Sequence, residues 1–200
     1  MGVRVVGWSA LLVECDEPVG VAAWLTRRRA AGELIATEIV PGARTVLLDG
    51  VPEPERLAAL LDRWEFVAAT TPAGAPVVEL PTRYDGEDLE LVARHWGVGP
   101  DEVIERHTAT EFTVAFCGFA PGFAYLTGLP AELAVPRLAT PRARVPAGSV
   151  ALAGRYTGVY PSASPGGWLL IGRTEQTLFD VSADPPALLA PGTSVRFRRA

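Results

Sequence analysis

The chain has 200 residues, enough for one large domain or two small ones and for an apolar core that needs no covalent staples. Its 18 basic residues are all arginine, and neither lysine nor asparagine occurs, which excludes a P-loop lysine, a Schiff-base lysine and an N-glycosylation acceptor. A net charge of −5 argues against nucleic acid as a partner, no apolar run reaches membrane-spanning length, and Cys15 and Cys117 are too few for a disulfide framework, so a reduced, cytoplasmic setting is expected.

Val5 to Val13 is mildly apolar, but Glu14, Asp16 and Glu17 follow and no small-residue cleavage site is apparent, so no signal peptide is expected. Ser9 to Cys15 reads as a strand. Pro18 to Ala30 reads as a helix, with Val21, Leu25 and Arg28 spaced along it and Gly32 just past its end. Leu34 to Val40 and Thr45 to Leu48 read as strands on either side of a Pro41-Gly42 turn. Pro52 to Trp64 is the clearest helix of this half: Leu57, Leu60, Leu61 and Trp64 recur on one face. With Phe66 to Ala69 as a further strand, the order is β-α-β-β-α-β, a ferredoxin-like pattern. Nothing in residues 1–70 forms a catalytic constellation, which points to packing or interaction.

The run Thr71-Pro72-Ala73-Gly74-Ala75-Pro76 has turn composition and marks a boundary between domains at 1–72 and 77–200. Val77 to Leu80 is a short strand. Asp88 to Trp96 is helical, with Leu89, Val92, Ala93 and Trp96 on one face. A second helix starts at Gly99-Pro100, where Pro suits the first helical position and Asp101 and Glu102 suit the dipole, and it ends near His107-Thr108. From Glu111 onward short β runs alternate with Gly/Pro turns: 113–116, 150–153, 168–172, 177–181 and 195–198. That pattern predicts a closed or sandwiched β structure, and the fold class is α+β.

Charge is uneven. Residues 71–107 carry three arginines against eight acids, and residues 108–200 carry eight arginines against five acids. The basic second part suits an anionic ligand, or is a solvated arginine surface. His107 has a pKa suited to proton transfer, or is a half-buried residue at a helix C-terminus. Arg142 and Arg144, two apart on an extended segment, share one side and can grip a carboxylate or phosphate, or form an exposed pair. Gly118-Phe119-Ala120-Pro121-Gly122 can make an anion-holding backbone concavity, or a tight turn. Ser149 can hydrogen-bond a substrate, although no G-x-S-x-G elbow surrounds it. Cys117 reads as a small packing residue. No metal-ligand spacing exists among the two histidines and two cysteines, so no bound metal is expected.

The motifs together are more specific than each alone. His107-Thr108, Gly118-Phe119, Pro121-Gly122-Phe123, Tyr125-Leu126, Gly128-Leu129-Pro130, Pro136-Arg137, Pro141-Arg142, Val145-Pro146-Ala147-Gly148-Ser149, Thr157-Gly158, Tyr160-Pro161, Ser164-Pro165-Gly166-Gly167-Trp168 and Ile171-Gly172-Arg173-Thr174 resemble the family of 5-oxoprolinase B subunits, also called allophanate hydrolase subunit 1 or the KipI family. Tyr84-Asp85-Gly86-Glu87-Asp88-Leu89 and Leu178-Phe179-Asp180 fit the same family.

The resemblance implies a ferredoxin-like N-terminal domain followed by a cyclophilin-like β-barrel. It implies two partners, a C subunit with a related barrel and an A subunit. With ATP as co-substrate, the complex would hydrolyse 5-oxo-L-proline to L-glutamate. By analogy with the carboxyltransferase domain of urea carboxylase, the active surface would lie against the C subunit. There His107 would move a proton, Arg142 and Arg144 would hold a carboxylate or phosphate, and Ser149 with the backbone of Gly118, Phe119, Pro121 and Gly122 would line the pocket. Tyr156 stands where the family usually has Gln, beside the same substrate site. The resemblance also admits an inhibitor of a sensor histidine kinase, or one component of an allophanate/urea-type amidohydrolase or carboxyltransferase.

Overall fold

The computed structural model describes residues 2–66 and 77–200. Contacts divide the chain into two units, Met1–Gly74 and Ala75–Ala200. In the first, strands β1 (Gly2–Val6), β2 (Ala10–Glu14), β3 (Glu38–Pro41) and β4 (Thr45–Asp49) form an antiparallel sheet in the order β1-β2-β4-β3. Helix α1 (Pro18–Ala30) links β2 to β3, and α2 (Pro54–Leu61) follows β4. Alternation along the strands aims Leu11 and Val13 of β2 and Val46 and Leu48 of β4 into one core, where Val21, Trp24 and Leu25 of α1 and Leu57 and Leu61 of α2 meet them. Arg28, in register with that helix face, covers it as a cation: its guanidinium carbon lies 4.2 Å from the Trp64 ring centroid and 4.8 Å from that of Trp24.

Several features differ from the sequence expectation. Strand β1 was not anticipated, because its side chains are mostly exposed and give no alternating signal; it occupies the sheet edge beside β2. Helix α2 is shorter than 52–64. It starts at Pro54, whose missing N–H suits the first helical position, and Trp64 packs edge-on against Trp24 from beyond the helix end, at 5.6 Å. Leu34 and Ala36 are buried without being in a strand. Of the strand expected at 66–69, Phe66 is not in a strand but packs edge-on on Trp24. Residues 67–69, and the turn run at 71–76, lie outside the described residues.

In the second unit the strands are β5 (Val77–Thr82), β6 (Phe112–Cys117), β7 (Ala124–Thr127), β8 (Arg142–Val145), β9 (Ser149–Ala153), β10 (Tyr156–Val159), β11 (Ser164–Gly166), β12 (Leu169–Arg173) and β13 (Ser194–Arg199). Seven of them form one sheet in the order β12-β9-β10-β7-β6-β13-β5, and β8 and β11 pair separately as a two-stranded ribbon. Strand β5 runs parallel to β13, and the remaining pairs of the large sheet are antiparallel. The sheet's two ends meet. Arg83, just past β5, exchanges main-chain hydrogen bonds of 2.9 and 2.8 Å with Arg173 of β12, so the sheet is a nearly closed barrel. Helices α3 (Leu89–Trp96) and α4 (Pro100–Ala109) lie between β5 and β6 in the chain. Val92, Ala93 and Val103 join Leu80, Phe112, Val150, Leu152, Ile171 and Phe197 in the barrel core.

Residues 177–181 are not a strand. Leu178 is buried, but Val181 is 85% exposed and Phe179 makes only a single bridging pair with Ala187. The Asp180 carboxylate accepts the Ser182 N–H and hydroxyl, at 2.9 and 2.6 Å, turning the chain away from an extended course.

Candidate functional site

Strand β9 is buried on both faces. Val150 and Leu152 enter the barrel core, whereas Ala151 and Ala153 face a second apolar layer with Phe123, Tyr160, Trp168 and Leu170. Glycine makes that layer possible. A Cβ on Gly158 would stand 3.0 Å from the Trp168 ring and 3.1 Å from the Phe123 ring, and one on Gly166 would collide with the Tyr160 hydroxyl. Rings therefore lie directly on the backbone. Phe123 packs edge-on with Tyr125, Tyr160 and Trp168 at 5.1–5.3 Å, Tyr125 stacks on Phe116 at 4.2 Å, and Tyr125 and Tyr156 meet edge-on at 5.7 Å.

The Gly118–Gly122 loop feeds this layer. Phe119 is 63% exposed, has φ 69°, and sets its ring edge-on to Phe123 at 5.4 Å. A left-handed residue with a side chain costs about 1–2 kcal/mol. Gly122 has φ 80°, and a Cβ there would lie 2.6 Å from that of Phe179, so a larger residue is excluded. The loop's own carbonyls occupy part of the expected concavity: Gly118 N–H donates to Phe123 O and Ala120 N–H to Gly118 O. Pro121 has no N–H to offer and is exposed.

Arg142 flanks the layer from β8. Its guanidinium holds both Asp88 carboxylate oxygens at 2.8 Å, Glu87 at 2.6 Å and the Trp168 carbonyl at 3.3 Å. Asp88 also accepts the Leu170 N–H at 2.7 Å. Arg142 thus ties the start of α3 to β12, and its charge is already matched by two carboxylates. Arg144 is exposed. Ser149 is buried, its hydroxyl donating to Pro146 O at 2.8 Å and its carbonyl accepting from Tyr160 N–H at 3.0 Å. Both bonds set the turn into β9.

His107 sits elsewhere. At the end of α4 it is wholly buried, with ring centroids of Phe197 and Phe112 at 4.5 and 5.0 Å. Nδ1 lies 2.7 Å from the Tyr84 hydroxyl, and Nε2 is buried without a partner. An orphaned N–H is rarer than an orphaned acceptor, which assigns the ring proton to Nδ1. Desolvation lowers the His107 pKa to about 3, so the imidazole is neutral. The same burial pushes the Tyr84 phenol up. The fold places His107 in the barrel core, with the half-buried Tyr84 against it, and neither lies in the aromatic layer. Cys117 is also a packing residue: burial raises its thiol pKa, and its Sγ donates to Leu189 O at 3.3 Å.

The family model for the carboxyltransferase domain, subdomains C and D, matches residues 1–189. The chain belongs to this carboxyltransferase-domain family. Within it, the chain is 42% identical to a protein of Escherichia coli O157:H7 named as the B subunit of 5-oxoprolinase, over 96% of this chain and 93% of that one. The crystal structure of TTHA0988 is similar at 34% identity with a TM-score of 0.79; this chain is covered completely and spans 40% of that one. The Kluyveromyces lactis urea carboxylase shares the fold at 20% identity and a TM-score of 0.74, over 99% of this chain and 21% of that one.

Of the residues singled out by sequence, this carboxyltransferase-domain chain brings Phe119 and Tyr156 to one aromatic layer, with Arg142 and Ser149 bracing its rim. Two residues of consequence escaped that reading. Asp88 fixes Arg142 from 54 positions away, a pairing with no local signal. Arg137 lies above the layer, its guanidinium carbon 5.9 Å from the Trp168 ring centroid; the Pro136-Arg137 motif was visible, but not the ring beneath it. Among the described residues no helix is long and apolar enough to cross a membrane, and no group of three His, Cys, Asp or Glu side chains is placed to hold a metal ion.

Proposed function

We propose that this chain is the B subunit of an ATP-dependent 5-oxoprolinase that opens 5-oxo-L-proline to L-glutamate. The observation that carries the reading is the 42% identity to the Escherichia coli protein of that name along nearly the whole of both chains. ATP is the co-substrate of the complex. The A and C subunits are the partners, and the working surface is shared with the C subunit. The compartment is the cytoplasm, and the two units are a ferredoxin-like domain over 1–72 and a cyclophilin-like barrel over 77–200.

The chemistry explains why a single chain would be insufficient. A lactam carbonyl is a poor electrophile, and phosphoryl transfer to its oxygen makes it attackable by water. This chain has no lysine, hence no P-loop lysine, to hold the phosphates. Its contribution is a rigid, partly apolar wall that binds the ring and excludes water. Phe119 and Tyr156 belong to that wall, on the backbone of Gly118, Pro121 and Gly122. Arg142 and Ser149 act as positioning residues, because their polar atoms already hold Asp88 and Pro146. Arg144, exposed on the same strand as Arg142, faces an anion or a partner. His107 packs in the barrel core against Phe112 and Phe197, apart from the wall.

Co-expression with the A and C subunits, followed by assay of glutamate released from 5-oxo-L-proline, tests the reading. ATP-dependent release that needs this chain is expected. A complete, folded assembly that cleaves neither ATP nor the lactam would refute it.

A further inference from the structure

Among the described residues of the second unit, the large apolar side chains that stand exposed are Val77, Phe119, Phe179, Val181 and Leu188. All but Val77 come from two segments that abut. A Cβ on Gly122 would lie 2.6 Å from that of Phe179, and the Cys117 sulfur reaches the Leu189 carbonyl at 3.3 Å, so the Gly118–Gly122 loop runs beside the 178–189 segment. That segment folds back on itself: Leu188 N–H donates to Leu178 O and Asp180 N–H to Pro186 O, both at 2.9 Å. The loop is pinned as well, since the N–H groups of Gly118, Ala120 and Phe123 all donate to carbonyls within it. Phe119 and Val181 are thus held toward solvent on fixed backbone. Phe119 is also the only described residue other than glycine with a positive φ. Glycine would take that conformation at lower cost and stands nearby at 118 and 122, yet a phenyl ring occupies the position and meets Phe123 only edge-on. Backbone strain kept at an exposed aromatic residue points to a use outside the chain's own core.

Exposed apolar groups gathered on rigid backbone gain by being covered with another protein surface. The charge around them says which kind. Residues 118–123 and 177–190 contain no basic residue. Their two acids, Asp180 and Asp184, are exposed and form no ion pair among the described residues. In a symmetric dimer a second copy would set these carboxylates against their own like, which disfavours self-association. A different protein, apolar at the centre and basic at the rim, is complementary. The solved relative TTHA0988 carries the matched region as 40% of a longer chain, so this fold exists with further polypeptide beside it. We propose that Phe119, Phe179 and Val181 form the docking surface for the C subunit, whose facing surface is an apolar patch rimmed by arginine or lysine. The identity of that subunit rests on the 5-oxoprolinase reading; the existence of a partner surface does not.

Calorimetric titration of the full chain with purified C subunit tests the surface, with turnover of 5-oxo-L-proline by the complete assembly measured in parallel. Phe119→Gly removes the ring and relieves the left-handed strain, so the isolated variant is expected to melt no lower than wild type in step with its loss of binding; Val181→Asp puts a charge on a side chain that the fold leaves 85% exposed. Each is expected to weaken C-subunit binding about 10-fold or more, as loss of a central apolar contact does. Asp184→Arg is expected to weaken it further at low salt than at high salt, the mark of a rim charge. Trp8, 98% exposed on the first unit, is the rival anchor. Unchanged affinity in Val181→Asp overturns the surface, whether or not Phe119→Gly folds. So does a wild type that fails to bind the C subunit, a loss confined to Trp8→Ser, or a wild-type dimer that Val181→Asp splits. Weakened binding in the variants while the wild-type assembly fails to hydrolyse 5-oxo-L-proline upholds the surface and refutes the 5-oxoprolinase reading. Hydrolysis with unchanged affinity in the variants does the reverse.

Discussion

Asp88 is nearly buried and carries its charge there because Arg142 grips both of its oxygens. Removing one partner of such a pair strands the other, which typically costs about 3–5 kcal/mol. Arg142→Ala should therefore lower unfolding stability by that order in urea titrations; a loss below about 1 kcal/mol would show that Asp88 is not relying on it. His107 gives a second residue-scale expectation. Its folded pKa, about 3, is below its unfolded value near 6.5, so the unfolded chain binds the extra proton between those values. Its contribution is complete above pH 6.5 and declines as pH falls, by about 1.4 kcal/mol per unit. His107→Phe should remove that increment from the stability difference between pH 7 and pH 5, and identical pH slopes in the two proteins would contradict the assignment. Neither pairing was legible beforehand. The motifs marked His107 and Arg142 as notable, but partners 23 and 54 residues away decide what they do.

At the scale of elements, the barrel closes where Arg83 meets Arg173, and the closure depends on a residue without a side chain. A Cβ on Gly172 would stand 2.5 Å from the Arg83 carbonyl oxygen. Gly172→Ala should push the two strand ends apart, cost about 1–3 kcal/mol as overpacking does, and speed amide exchange at Arg83 and Arg173. Unchanged protection at those amides would show that the ends do not need the close approach. Elements with a strong period were readable in advance. The apolar stripe of α3, the Pro100 start of α4, and β5, β6, β9, β12 and β13 all lie near where composition placed them. Strands β7 and β10 were not readable. They are four residues long, lie among glycines and aromatics, and β10 is buried almost throughout, so alternation cannot mark it. The Thr177–Val181 run had strand composition without strand pairing, because Asp180 bends it with its own side chain.

For the molecule as a whole, the second unit was legible as a closed β structure from its short runs and Gly/Pro turns, and family membership from the assembled motifs. The aromatic layer was not, since it gathers Phe116, Phe123, Tyr125, Tyr156, Tyr160 and Trp168 from several strands and the segments between them. Cys117 tests whether function resides in that layer or in the thiol. Its sulfur is turned to Leu189 O, so Cys117→Ala should leave turnover of the assembled complex within about twofold, and a folded variant without activity would move the chemistry to the thiol. The central claim concerns what the chain does when assembled. It is tested most directly by glutamate release from 5-oxo-L-proline in the complex reconstituted with the A and C subunits, with and without this chain. The account predicts ATP-dependent release that disappears when this chain is omitted; release of equal rate without it, or none with every component folded and present, would contradict the account.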